Sequence, residues 1–301
     1  MRYHLISTDK LGVIFLQNLT VHRPTSITEF RGLLEKERAE LKKHYPQPLE
    51  SKQDGVDIIL FAGQSNMAGR GKAHLAPYVK EGYEFRPVSA PKKLFHLQEP
   101  FGKTEDNPTG INDENKKSGS LVSSLVNAYY DCTRRIVVGI SASKGGSSIL
   151  EWQPKSPYCT DILERLQRCE NFLHQQNIPI KSRFLVWCQG ETDGDHAMSS
   201  AEYKMRFTAL QKALSEAGVE ETFLIQIGNK KDEPKKYQQI IYAQRELAQE
   251  KQVVLIANAF EWMDRLDLMK DNYHYTQTGY NLCGDQAGLN LAAYILNKPT
   301  L

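Results

Sequence analysis

Several things this chain has little of narrow what it can be. Its five cysteines, Cys132, Cys159, Cys169, Cys188 and Cys283, are odd in number and show no Cys-x-x-Cys spacing. That argues against a disulfide framework and against a zinc site. Long apolar runs are missing: the run at residues 11–16 is too short to span a bilayer and lacks the small-residue cleavage site of a leader. Charge of one sign is missing too, since 38 Lys and Arg against 36 Asp and Glu leave a formal net charge of +2. With the two kinds interspersed, no basic stripe points to nucleic acid or an anionic membrane, and a small neutral substrate fits better. A complete P-loop pattern and a G-x-G-x-x-G are both absent, which argues against nucleotide binding. No internal repeat or low-complexity tract occurs. These absences lead us to expect a soluble cytoplasmic protein that binds neither nucleic acid nor membrane; its oligomeric state is not legible.

The stretch at residues 56–69 stands out. Residues 56–62 have the length and β-branched content of a buried strand, and Gly63 supplies the permissive backbone that ends it. Ser65 then falls at the carboxyl end of a strand, the edge where open α/β sheets bind ligands. A second reading makes Ser65 or Asn66 a cap for the backbone N–H groups that follow. Far along the chain, Asp271 precedes His274 by three positions, just before an apolar segment. A serine needs a base to act as a nucleophile at neutral pH, and the base needs a carboxylate on its other nitrogen. Ser65, Asp271 and His274 supply those parts.

A length of 301 residues with 40% hydrophobic content suits one catalytic domain with an appended piece. Residues 1–54 read as an N-terminal extension. In it Leu11, Val13, Phe15, Leu19 and Val21 alternate as in a half-buried strand or hairpin. Ser26-Ile27-Thr28-Glu29 reads as a capping box opening a helix with Phe30, Leu33, Leu34 and Leu41 on one face. Pro46 and Pro48 end it before a polar linker at residues 50–55. The sequon at Asn18 matters only in a secreted eukaryotic protein.

Residues 55–301 form the main unit. The polar stretch at residues 70–117 reads as a long loop bordering the substrate cleft. From Ser120 on, helical spacing at residues 121–130, 161–175, 201–217, 237–250 and 276–296 alternates with strand-like runs at 135–140, 184–188, 222–227 and 253–257. Such alternation requires parallel strands joined by crossover helices. The expected fold is a doubly wound α/β domain with a mostly parallel, five-stranded sheet and helices on both faces.

Two further strand ends carry unusual residues. Gly145 and Gly146 let backbone N–H groups approach a developing negative charge, as an oxyanion hole requires; a tight strand-to-helix turn, or a phosphate cradle with the nearby lysine, is the alternative. Gln189, in Trp187-Cys188-Gln189-Gly190-Glu191-Thr192-Asp193, offers a neutral amide donor for the same purpose. Glu191 and Asp193 are alternative carboxylates for His274, or hydrogen-bond acceptors for loop backbone. With Asp195 and His196 they look like metal ligands on paper, but consecutive acids on a polar turn are usually solvated and the spacing suits no zinc site. Trp152 and Trp187 read as core, with Trp152 also placed to line the cleft.

Together, Gly63-Gln64-Ser65-Asn66-Met67, Gly145-Gly146-Ser147 with Ile149 and Trp152, Trp187-x-Gln-Gly-Glu-x-Asp, and Asp271-x-x-His274 resemble the SGNH hydrolase superfamily. More closely they resemble its carbohydrate esterase family six, the sialate O-acetylesterase and acetylxylan esterase-like proteins. The resemblance covers about residues 55–297. It implies Ser65 as nucleophile, His274 as general base and Asp271 as its orienting acid. It further implies an oxyanion hole from the N–H groups of Ser65 and Gly146, or its neighbour Gly145, with the Gln189 side chain. Gln64, Asn66 and Glu191 would then be supporting residues. The implied activity is removal of O-acetyl groups from acetylated xylan, xylo-oligosaccharide or sialate through an acyl-enzyme, with no cofactor or metal. Activity should fall in acid as His274 takes up a proton. An esterase for another small acyl ester, or a non-catalytic carbohydrate-binding protein on the same fold, are the alternatives.

Overall fold

The computed structural model describes residues 23–45 and 55–297. The alternating positions 11–21, the sequon at Asn18, Pro46, Pro48 and the linker up to residue 54 lie outside the described residues. Helix α1, Ile27–His44, starts at Ser26, whose hydroxyl accepts the Glu29 N–H at 3.1 Å. The reciprocal half of the capping box is shifted by one residue: the Glu29 carboxylate takes the Thr25 N–H at 2.7 Å instead of that of Ser26. Phe30, Leu34 and Leu41 of α1 are buried, while Leu33 is half-buried.

Then come β1 (Val56–Gly63), α2 (Ser65–Ala68), β2 (Tyr83–Arg86), β3 (Ala90–His96), α3 (Val122–Thr133) and β4 (Ile136–Ser143). They are followed by α4 (Pro157–Gln175), β5 (Ile180–Cys188), α5 (Glu191–Asp195), α6 (Ser200–Glu216), β6 (Glu221–Ile225), α7 (Gln238–Leu247), β7 (Val253–Ala257) and α8 (Gln277–Asn297). The strands form one sheet in the order β3-β2-β4-β1-β5-β6-β7, parallel throughout except for the β2–β3 pair.

The sheet thus has seven strands rather than the expected five, because β2 and β3 form a hairpin inside the stretch read as loop. Strand β3 lies at the edge and carries Pro91, Lys92 and Lys93. A missing N–H and exposed charges protect an edge from further pairing, and the same residues hide the strand from a periodicity reading.

Each strand sends alternate side chains to opposite layers, as a period of two requires. From β1, Ile59 and Phe61 enter the layer that contains α1, α3 and α8, whereas Ile58 and Leu60 enter the layer of α4, α6 and α7. All eight residues of β1 are buried, as expected of the central strand of a parallel sheet. Strands β4 and β5 flank it: on one side the chain visits β2 and β3 before returning to β4 beside β1, and it then crosses over to β5 and works outward through β6 and β7. The carboxyl end of β1 is therefore the switch point at which a doubly wound sheet opens a crevice. Among the described residues no helix is long and apolar enough to cross a membrane.

Candidate active site

Gly63 ends β1 at φ 135°, with no room for a Cβ against the Cys188 carbonyl. Only glycine accepts both conditions. The chain turns there, Gln64 stays extended, and Ser65 opens the short helix α2. Its hydroxyl lies 3.0 Å from His274 Nε2. On the other side of the ring, Nδ1 lies 3.0 and 2.9 Å from the two carboxylate oxygens of Asp271. Asp271 Oδ1 also accepts the Tyr273 N–H at 2.8 Å and the His274 N–H at 2.7 Å, a local turn that the three-residue spacing makes natural. Partial burial works against its charge, but the Tyr273 amide and the His274 ring and amide outweigh that and hold the carboxyl below the ordinary aspartate value.

The turn after β4 distinguishes the two glycines proposed for the oxyanion hole. Gly145 donates its N–H to Asp113 Oδ1 at 2.6 Å, so that group is already spent. Gly146, at φ 70° with open space beside it, has no acceptor for its N–H among the described residues, and neither has the Ser65 N–H. The expectation for Gln189 needs correction as well. Its amide nitrogen donates to the Ser147 carbonyl at 2.9 Å and to Asp193, its own carbonyl oxygen accepts from Tyr203, and the residue is fully buried beneath the cleft. Both of its N–H bonds are committed to joining the β4 and β5 turns. Gln64 is placed differently: its Oε1 accepts from the Gly190 and Thr192 N–H groups, and its Nε2, beside Ser65, has no partner among the described residues. An amide held by its oxygen alone keeps two donors for the cleft.

Asn66 is fully buried and saturated. It donates to Glu191 Oε1 at 2.6 Å and to the Tyr273 carbonyl at 3.1 Å, and accepts the Tyr280 hydroxyl at 2.7 Å. It ties the Ser65 turn to the loop that carries His274. Burial pushes the Glu191 carboxyl up to about 7, and its Oε2 is sealed without a partner. Burial likewise raises Asp193, against the donors Ser148, Gln189 and Ile149. Neither acid is the partner of His274; Asp271 occupies that place. Asp195 accepts the Tyr237 hydroxyl at 3.2 Å, and among the described residues no group of three or more His, Cys, Asp or Glu could hold a metal. Trp152 does not line the cleft. It is sealed in the core, its indole donating to Ser147 Oγ and packing edge-on against Trp187.

The cleft has a volume of about 350 Å³, in the lower range for small-molecule sites. Part of the stretch after β3 forms one wall, with Asn112, Asp113, Glu114 and Lys116 facing Lys144 and Gly146. The Arg70–Asp113 ion pair at 2.9 Å braces that wall. Asp113 and Tyr273 carry no signal of their place in the sequence alone. Nothing in a polar loop marks the one acid that folds against a glycine turn 32 positions away.

A family model described as carbohydrate esterase, sialic acid-specific acetylesterase matches residues 55–293. Among solved structures, a protein from Arabidopsis thaliana is 21% identical at a TM-score of 0.54, over 81% of this chain and 99% of that one, a likeness of fold. A carbohydrate acetylesterase from Xanthomonas citri is 15% identical at a TM-score of 0.49, over 79% of this chain and 56% of that one. No curated protein sequence matches. The chain belongs to the carbohydrate esterase, sialic acid-specific acetylesterase family, and is a carboxylic ester hydrolase of the carbohydrate acetylesterase class.

Proposed function

We propose that this enzyme removes O-acetyl groups from acetylated sugars through an acetyl-Ser65 intermediate, with residues 55–301 as the catalytic unit. The observation that carries this reading is the line Ser65 Oγ, His274 Nε2, His274 Nδ1, Asp271, with hydrogen-bond distances of 3.0 and 2.9 Å at its two joints. Ser65 Oγ attacks the ester carbonyl while His274 Nε2 takes its proton, and Asp271 holds the ring in the tautomer that leaves Nε2 free. Negative charge then develops on the carbonyl oxygen. The N–H groups of Ser65 and Gly146 and the Gln64 amide are the donors placed to meet it, in the role first expected of Gln189. His274 returns its proton to the sugar oxygen as the carbon–oxygen bond breaks. Water, deprotonated by the same imidazole, next attacks the acetyl group and releases acetate and free Ser65.

The two sugar classes in view are O-acetyl sialate and acetylated xylo-oligosaccharide; comparing acetate release from each ranks them. For the chemical step, an organophosphonate labels an activated serine covalently. Peptide mapping should find the label on Ser65, with activity lost in proportion to labelling. A fully active enzyme carrying that label would contradict the mechanism.

A further inference from the structure

We propose that Tyr273 is the sugar platform of the cleft, its ring stacking on the apolar face of the pyranose whose acetyl group Ser65 attacks. This rests on the reading of the site as a carbohydrate acetylesterase. Apart from His274, Tyr273 supplies the cleft's only aromatic ring among the described lining residues, and the other walls are polar or charged. The tryptophans that a sugar would otherwise use, Trp152 and Trp187, are sealed in the core. A pyranose needs both kinds of surface: hydroxyl groups seek polar partners, while the C–H face of the ring gains by leaving water against an aromatic face.

The ring is presented rather than packed away. Tyr273 is 39% exposed, whereas Asn272 and His274 on either side are half-buried. Its backbone is clamped at both ends, the N–H by Asp271 and the carbonyl by Asn66. Lys230, which does not line the cleft, sits with its ammonium 5.6 Å from the ring centroid and is itself tied to Glu233. One face of the ring is thus backed by Lys230, and the residue itself borders the cleft. The centroids of Tyr273 and His274 are 6.1 Å apart at 61°, a separation comparable with the width of a pyranose. A sugar lying on Tyr273 would bring a ring substituent to Ser65. Such a contact selects for a pyranose over a small ester and adds binding rather than chemistry.

The test measures steady-state kinetics on an acetylated oligosaccharide and on a small aryl acetate for wild type, Tyr273→Ala, Tyr273→Leu and Tyr273→Phe, together with competitive inhibition by the deacetylated oligosaccharide. The Ala and Leu variants should raise the sugar KM about tenfold more than the aryl acetate KM and weaken the inhibitor by about the same factor, whereas Phe restores both. The Leu variant keeps apolar bulk, so it carries the test should Ala fail to fold. An equal loss on both substrates, or inhibition unchanged in Tyr273→Ala and Tyr273→Leu, would overturn the platform while leaving the esterase reading intact. A wild type that releases acetate from neither substrate would overturn that reading and the platform with it.

Discussion

Asn66 Nδ2 donates to Glu191 Oε1 across 2.6 Å, and both side chains are buried beside Ser65. Burial holds the Glu191 carboxyl at about 7 against an ordinary 4.5. Between those values the unfolded chain gives up a proton that the folded chain keeps, so stability must fall as pH rises from about 4.5 to about 7 and then level off. The size of the effect is about 3 kcal/mol. Glu191→Gln keeps an oxygen for Asn66 and removes the titration. Urea unfolding at pH 5 and pH 8 should show wild type losing stability across that range relative to the variant; parallel behaviour would remove the buried acid as the cause.

Asn66→Ala should act on geometry. It takes from Glu191 Oε1 its side-chain donor and from the Tyr280 hydroxyl its side-chain acceptor, and it frees the carbonyl of the residue before His274. A loss of about 2–3 kcal/mol in stability is expected. We also expect kcat to drop roughly ten- to a hundredfold with KM little changed, because the variant loosens the serine–histidine alignment rather than substrate contact.

The two glutamines should separate cleanly. Gln64→Ala removes a donor at the cleft and should lower kcat by about 10²–10³. Gln189→Ala strips partners from Asp193 and the Ser147 carbonyl and should lower the unfolding midpoint, by roughly 2–4 kcal/mol in stability. Calorimetry and kinetics on both variants check this. A Gln189 variant with native stability and a hundredfold lower kcat would reverse the assignment.

Asp271 is held below its ordinary value by its hydrogen bonds, so its contribution to stability is complete above about pH 3.8 and is lost as pH falls through the lowered folded value. Asp271→Asn should lack that acid-range loss in a comparison of unfolding between pH 2 and pH 5. Its turnover should be lower by about 10³–10⁴, since an amide there favours the wrong imidazole tautomer.

The core of this site was legible because it is local in sequence. An acid three residues before a histidine closes its own turn, and a strand ending in glycine and serine marks a sheet edge. What the chain alone could not disclose depends on which partner each polar group takes, and for Gly145 and Gln189 at least one of those partners is more than 30 residues away. Gly145 and Gly146 look alike until Asp113 claims one of them, and Gln189 looks like a donor to substrate until Asp193 and Ser147 absorb its N–H groups. The hairpin of β2 and β3 was hidden for a different reason: Pro91, Lys92 and Lys93 make an edge strand safe by making it look like loop. Tyr273 carries no signal in the sequence, because an aromatic residue between Asp271 and His274 has no periodicity to show whether it faces core or cleft.

The central claim is tested most directly by measuring acetate release from an acetylated oligosaccharide by wild type and Ser65→Ala under identical conditions. With Ser65 as nucleophile, wild type releases acetate and the variant, equally folded, loses about 10⁴-fold or more of its turnover. A folded Ser65→Ala protein that retains activity within tenfold of wild type would contradict it.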